Sequence, residues 1–130
     1  MNFYLSLKLF VINNLLKRTQ RDRFLFDHHF FKCKYFLHKS ASETHMANIL
    51  NISIEELNNI TINHYSMRFN DLCEKHKFEH FWDEVTNPLN ADLPVHSIIE
   101  SSGFSSNSAF NETINSHKEE SKNIISKKYI

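Results

Sequence analysis

With 130 residues the chain has room for about one domain, and a single glycine and two prolines set strong limits on its architecture. Hairpin turns draw on residues at ease with positive φ, mostly glycine, so a sandwich, barrel or meander is not expected, and the Gly-rich phosphate loops of nucleotide-binding folds are excluded. The formal charge is zero, yet it divides into about +6 over residues 1–40, −8 over 41–117 and +2 over the last thirteen residues. The expected fold class is all-α.

Residues 2–18 carry a partly apolar pattern that predicts an amphipathic helix. Lys8, Asn13 and Asn14 interrupt it, and it falls short of the ~20 apolar residues of a membrane span. No small-residue cleavage site follows, so a secretory leader is not expected. A charged stretch, Lys17 to Arg23, leads into an aromatic cluster of Phe24, Phe26, Phe30, Phe31, Tyr35 and Phe36. One or two helices covering the next segment are the expectation there. Residues 1–35 are read as an N-terminal helical extension, and Ser40-Ala41-Ser42 as a break.

From Glu43 the helical period is clearer, with Met46, Ala47, Ile49 and Leu50 on one short apolar face. Asn51 suits the left-handed residue that often ends a helix. Ser53 with Glu56 three residues on has capping-box spacing, and Leu57, Ile60 and Thr61 supply the next inward face. A long helix is predicted from about Phe69 to Val85, with Phe69, Leu72, Cys73, His76, His80, Phe81 and Val85 near heptad spacing. Asn87-Pro88 stops it, because the residue before proline avoids the helical region. Pro94 then opens a helix carrying Val95, Ile98 and Ile99. Gly103 ends that helix, Phe104 plugs the corner, and Ser105 or Ser106 caps a last helix with Ala109, Phe110, Ile114 and His117.

The run Val95-His-Ser-Ile-Ile-Glu-Ser-Ser-Gly-Phe-Ser-Ser-Asn-Ser-Ala-Phe-Asn111 resembles the second helix-turn-helix of AraC/XylS-type transcriptional regulators. That family's pattern is close to I-x-x-I-A-x-x-x-G-F-x-S-x-S-x-F-N. Met46-Ala-Asn-Ile-Leu-Asn-Ile-Ser53 resembles its L-A-x-x-L-x-I-S, and Ile62-Asn63 through Phe69-Asn70-Asp71-Leu72 resembles its I-N…F-N-D-[LF]. The likeness covers roughly residues 36–127. It implies a DNA-binding domain over 36–130, with a first helix-turn-helix at about 43–65, a linker helix at about 69–86 and a second unit at about 94–117.

The resemblance further implies a regulator that reads the major groove with two helices about one DNA turn apart. Carried over position by position, the first reader would present Glu55, Asn58 and Asn59. The second would present Asn107, Ser108 and Asn111, with Glu112 beside them. Ser105, Ser106 and the adjoining helix amides would hold phosphates. Asn can pair with adenine and Glu can accept from cytosine N4. The implied partner is double-stranded DNA, with RNA polymerase, another regulator or a homodimer as further partners. No catalytic residue, metal or cofactor is implied, and a cytoplasmic location is expected. The chain departs from the family pattern at Ile99, where members usually carry a small Ala, and at Glu112, where a basic residue is common. The acidic middle segment keeps a second reading open: a diverged helix-turn-helix module that binds protein and has weak or no affinity for DNA.

Two other patterns bear on chemistry. His76-Lys-Phe-Glu79-His80 matches H-x-x-E-H, the arrangement of inverted zinc peptidases, with Cys73 one turn earlier. Such enzymes need a further ligand and a substantial cleft, so ordinary helix side chains are the expectation. Cys33 and Cys73 form no disulfide framework and read as small apolar filler in a reducing compartment.

Overall fold

The computed structural model describes residues 6–8, 10 and 17–116. The helix expected over 2–18 therefore falls largely outside the described residues, as do His117 and the lysines after it. Among the described residues the chain is all-helical and no strand occurs. In order come α1 (Arg18–Asp27), a π-helical turn (His28–Lys32), a 3-10 turn (Tyr35–Leu37), α2 (Glu43–Leu50), α3 (Ile54–Tyr65), α4 (Phe69–Val85), a second 3-10 turn (Pro88–Asn90), α5 (Val95–Ser101) and α6 (Asn107–Ser116). None of these helices is long and apolar enough to cross a membrane.

Local chemistry sets the helix ends. The Ser42 hydroxyl accepts the His45 amide to start α2, and Asn51 closes that helix at φ 55°. Two residues on, the Ser53 hydroxyl accepts the Glu56 amide at 3.0 Å to start α3. Ser66 ends α3 at φ 62°. At the far end of α4 the Thr86 hydroxyl donates to the Trp82 carbonyl at 2.6 Å, and Asn87 caps the 3-10 turn through the Leu89 amide.

Burial organises these pieces into two apolar clusters that share α4. Phe26, Phe30, Tyr35 and Phe36 of the N-terminal segment meet Met46, Ala47 and Leu50 of α2, Leu57 of α3, and Phe69, Leu72 and Cys73 of α4. Phe26 stacks on Phe30 with ring centres 5.2 Å apart, and both rings meet Phe69 edge-on. The second cluster joins Phe81 of α4 to Ile98 and Ile99 of α5, Phe104 of the corner and Phe110 of α6, with Trp82, Val85 and Ile114 against it. Ile99 is buried there despite its bulk.

Several apolar side chains face differently from the sequence expectation. Ile49 and Val95, expected inward, are largely exposed, while Phe78 is buried and packs its ring on Phe81 and Trp82. Cys33 is exposed rather than filler, whereas Cys73 is buried, and desolvation pushes its thiol up to about 12.

Candidate nucleic-acid interface

The second expected reader is built by the corner between α5 and α6. Ser102 ends α5 with its amide on the Ile98 and Ile99 carbonyls, and its hydroxyl donates to the Ile98 carbonyl at 2.8 Å. Gly103 follows at φ 90°, where a side chain is strained. Phe104 is buried, its ring meeting Phe110 edge-on at 5.1 Å, and Phe110 in turn lies 4.6 Å from Phe81. The corner is thereby fixed to α4. Ser106 is the cap of α6, its hydroxyl accepting the Ala109 amide at 3.0 Å.

With Phe110 and Thr113 turned inward, Ser105, Ser106, Asn107, Ser108 and Asn111 are all exposed. Asn107 and Ser108 each lie about one turn before Asn111, at the four- and three-residue steps that share a side of α6. A cleft of about 370 Å³ opens beside them, lined by Lys39, His96, Glu100, Ser105, Ser106 and Asn107. Lys39 reaches into it from before α2 and bonds Glu100 at 2.8 Å. That hydrogen bond, with the lysine's charge, holds the Glu100 carboxyl below its usual value.

The three residues expected on the first reader do not share a surface. Glu55 and Asn59 are exposed, but Asn58 is buried, which corrects its assignment as a base reader. Its side-chain oxygen accepts the buried Phe69 amide at 2.9 Å, and its amide nitrogen donates to the Ile54 carbonyl at 3.2 Å and to Glu43 at 3.5 Å. The physical reason is that Leu57, Asn58 and Thr61 are the inward side of α3. Arg68 provides no side-chain cap for α4, and Asn58 does that work from the neighbouring helix. Every polar group of this asparagine is committed to the fold.

Asn59 is exposed yet not open on all sides. It lines a cleft of about 190 Å³ whose walls are Thr19 and Asp22 of α1 and Glu56, Asn59, Ile60, Asn63 and His64 of α3. Arg18 closes one end through Glu56 at 3.3 Å. At the other end the Tyr65 hydroxyl donates to the Asp27 carboxylate. Burial, followed by that bond, pushes the Tyr65 phenol up to about 12. Of the charged residues at the two clefts, Arg18 and Lys39 find Glu56 and Glu100, 38 and 61 positions away, and only the clustering of basic residues before position 40 hints at them.

The H-x-x-E-H residues are directed to different neighbours. The His76 ring sits among Phe30, Phe31 and Phe36 with centres 5.2–5.5 Å away, and its Nδ1 is 3.7 Å from Glu79. His80 Nδ1 lies 3.1 Å from the Ser102 hydroxyl and its Nε2 faces Glu84 at 3.9 Å. Among the described residues no three His, Cys, Asp or Glu side chains converge on a cation position.

These histidines carry a stability consequence. Desolvation by burial lowers His29, His76 and His80 below the ordinary 6.5. The unfolded chain then binds protons more readily than the folded one. Stability is complete above about pH 6.5 and declines as pH falls through the unfolded value toward the lowered folded values. The urea midpoint is expected to drop between pH 7 and pH 5, and His76→Gln to flatten that slope. An unchanged slope in the variant would clear His76 of any part in the acid sensitivity.

No protein-family model, curated protein or solved structure matches this chain.

Proposed function

We propose that the chain is a DNA-binding transcription regulator of the AraC/XylS kind, built of two helix-turn-helix units with α4 as the connecting helix. The observation that carries this reading is the α5–Gly103–α6 corner. There a buried Phe104 and a capping Ser106 leave Ser105, Asn107, Ser108 and Asn111 together on an exposed polar surface beside Glu112. Such a helix face suits base edges, and the amino end of a helix suits phosphate oxygens. Phosphate neutralisation must come from outside this acidic segment, from the eight Lys and Arg before position 41, Lys32 and Lys34 among them, and the four lysines after His117.

Replacing Asn107 or Asn111 by alanine is expected to lower affinity for a selected duplex roughly tenfold. Binding to random-sequence duplex should change far less. Fluorescence anisotropy at low and moderate salt measures both. Unchanged specific affinity in both variants would remove α6 as the reader, and absence of any duplex binding at low salt would remove the function.

A protein-binding module is the second reading. It is favoured by the exposed apolar side chains Leu89, Leu93 and Val95, which are 91%, 51% and 54% exposed over one short segment. A duplex-silent chain that still binds RNA polymerase or another regulator through this segment would support it.

A further inference from the structure

We infer that the N-terminal segment carries a site for a thiophilic divalent metal ion, zinc above all, held by Cys33 and His28 and completed by His38 and His45. The site is independent of the DNA-binding reading. Four imidazoles and one thiol stand between positions 28 and 45, His29 being the fourth imidazole. Nitrogen and sulfur donors of this kind select zinc and its neighbours over calcium or magnesium.

The π-helical turn creates the first half of the site. In an α-helix a step of five residues turns a side chain about 140° away from its starting direction. The wider turn instead closes the Cys33 amide on the His28 carbonyl at 3.0 Å, and Cys33 Sγ lies 3.6 Å from His28 Nε2. A tetrahedral zinc with a sulfur at about 2.3 Å and a nitrogen at about 2.0–2.1 Å sets those two donors about 3.5–3.6 Å apart. The pair therefore already has the bite of two zinc ligands. His29 meets the His28 ring edge-on at 5.3 Å.

The second half lies across a cleft. Lys34 follows Cys33 in the left-handed region at φ 52°, and Cys33 lines a space of about 200 Å³ together with Tyr35, His38 and His45. The Tyr35 hydroxyl donates to the Ser42 carbonyl at 3.4 Å, so its 2.8 Å contact with His45 is donated by the imidazole Nδ1–H. That leaves the lone pair on His45 Nε2 for a cation. A hydrogen bond from the far ring nitrogen is the device that orients metal-bound imidazoles. Among the described residues no three such donors meet at one point without the metal. His38 and His45 are exposed, and the ion draws them onto the preformed pair. Binding exchanges the thiol proton of Cys33 for the metal and releases that proton to solvent, while the three neutral imidazoles donate lone pairs. Lys32 and Lys34 flank the thiol and oppose the cation, but both are exposed and screened. The bound ion ties the π-helical turn to α2 across the Tyr35–Leu37 turn.

The full chain, prepared without a histidine tag and kept reduced by a phosphine, is titrated with Co²⁺ and then with Zn²⁺. A thiolate-to-cobalt charge-transfer band in the near ultraviolet is expected, with the intense visible bands of a tetrahedral ion, and Zn²⁺ should discharge both. Cys33→Ser should abolish the charge-transfer band, whereas His64→Gln, on α3, should leave it unchanged. His28→Gln and the double variant His38→Gln/His45→Gln should each weaken Co²⁺ binding at least about tenfold, and Tyr35→Phe about tenfold through the freed His45 ring. Helical circular dichroism of each variant confirms that it is folded. Absence of the band in the wild-type chain, its survival in Cys33→Ser, or undiminished affinity in the double variant would each overturn the site.

Discussion

Gly103→Ala is expected to destabilise the protein by about 3 kcal/mol. Two effects add at this position. The residue sits at φ 90°, a conformation in which any L side chain is strained. An added Cβ would also come within 2.8 Å of the Phe36 carbonyl oxygen and 2.9 Å of the Leu37 backbone. Those are main-chain atoms of the Tyr35–Leu37 turn, so no side chain can swing aside. Relief requires the α5–α6 corner to move off that turn, which loosens the Phe104 plug and the Lys39–Glu100 bridge together. Urea denaturation checks the magnitude. A loss below about 1 kcal/mol would mean that the corner adapts easily. Because Ser105 to Asn111 hang from this corner, the variant should also lose affinity for duplex under conditions where it remains folded.

Asn58→Ala is expected to cost about 2–3 kcal/mol. The truncation leaves the Phe69 amide buried and without its acceptor, and it strands the groups on Ile54 and Glu43 that the asparagine amide now serves. A lost partner for a buried donor costs more than the bond itself contributes, since the donor cannot return to water. Asn58→Asp keeps an acceptor for Phe69 but sets a carboxylate against Glu43, so it should recover only part of the loss. The same denaturation measurement distinguishes this role from base reading. A base reader on the surface would leave stability within about 0.5 kcal/mol when truncated.

What was legible in the sequence is what short-range chemistry decides. The Ser53 cap, the left-handed Asn51, the stop at Asn87-Pro88 and the corner at Gly103 each follow from residues within four or five positions of one another. The all-helical class followed from the scarcity of glycine. The failures share a different cause. Asn58 reads as surface because asparagine usually is, and only its place between Leu57 and Thr61 on the inward side of α3 signals otherwise. Phe78 is missed because α4 buries more than one stripe. A heptad count favours the stripe through Phe69 and His76 and overlooks the side that packs on Trp82. The π-helical turn at His28–Lys32 shifts the aromatic cluster by one residue per turn, which a 3.6-residue period cannot anticipate. The match of α1 to the face of α3 depends on Arg18 finding Glu56, thirty-eight residues on. No spacing rule reaches that far, so the candidate site was half legible: the second reader from its motif, the burial of Asn58 in the first only from tertiary placement.

The sharing of α4 between the two apolar clusters also governs how the molecule comes apart. A helix of 17 residues is marginal in water by itself. The second cluster rests on five buried side chains, too few to hold α5 and α6 without that support. Melting the amino-terminal turns of α4, where Phe69 and Leu72 lie, therefore removes the floor beneath Phe81 as well. The two halves are therefore expected to unfold together, so that damage at either end lowers the population of both clusters.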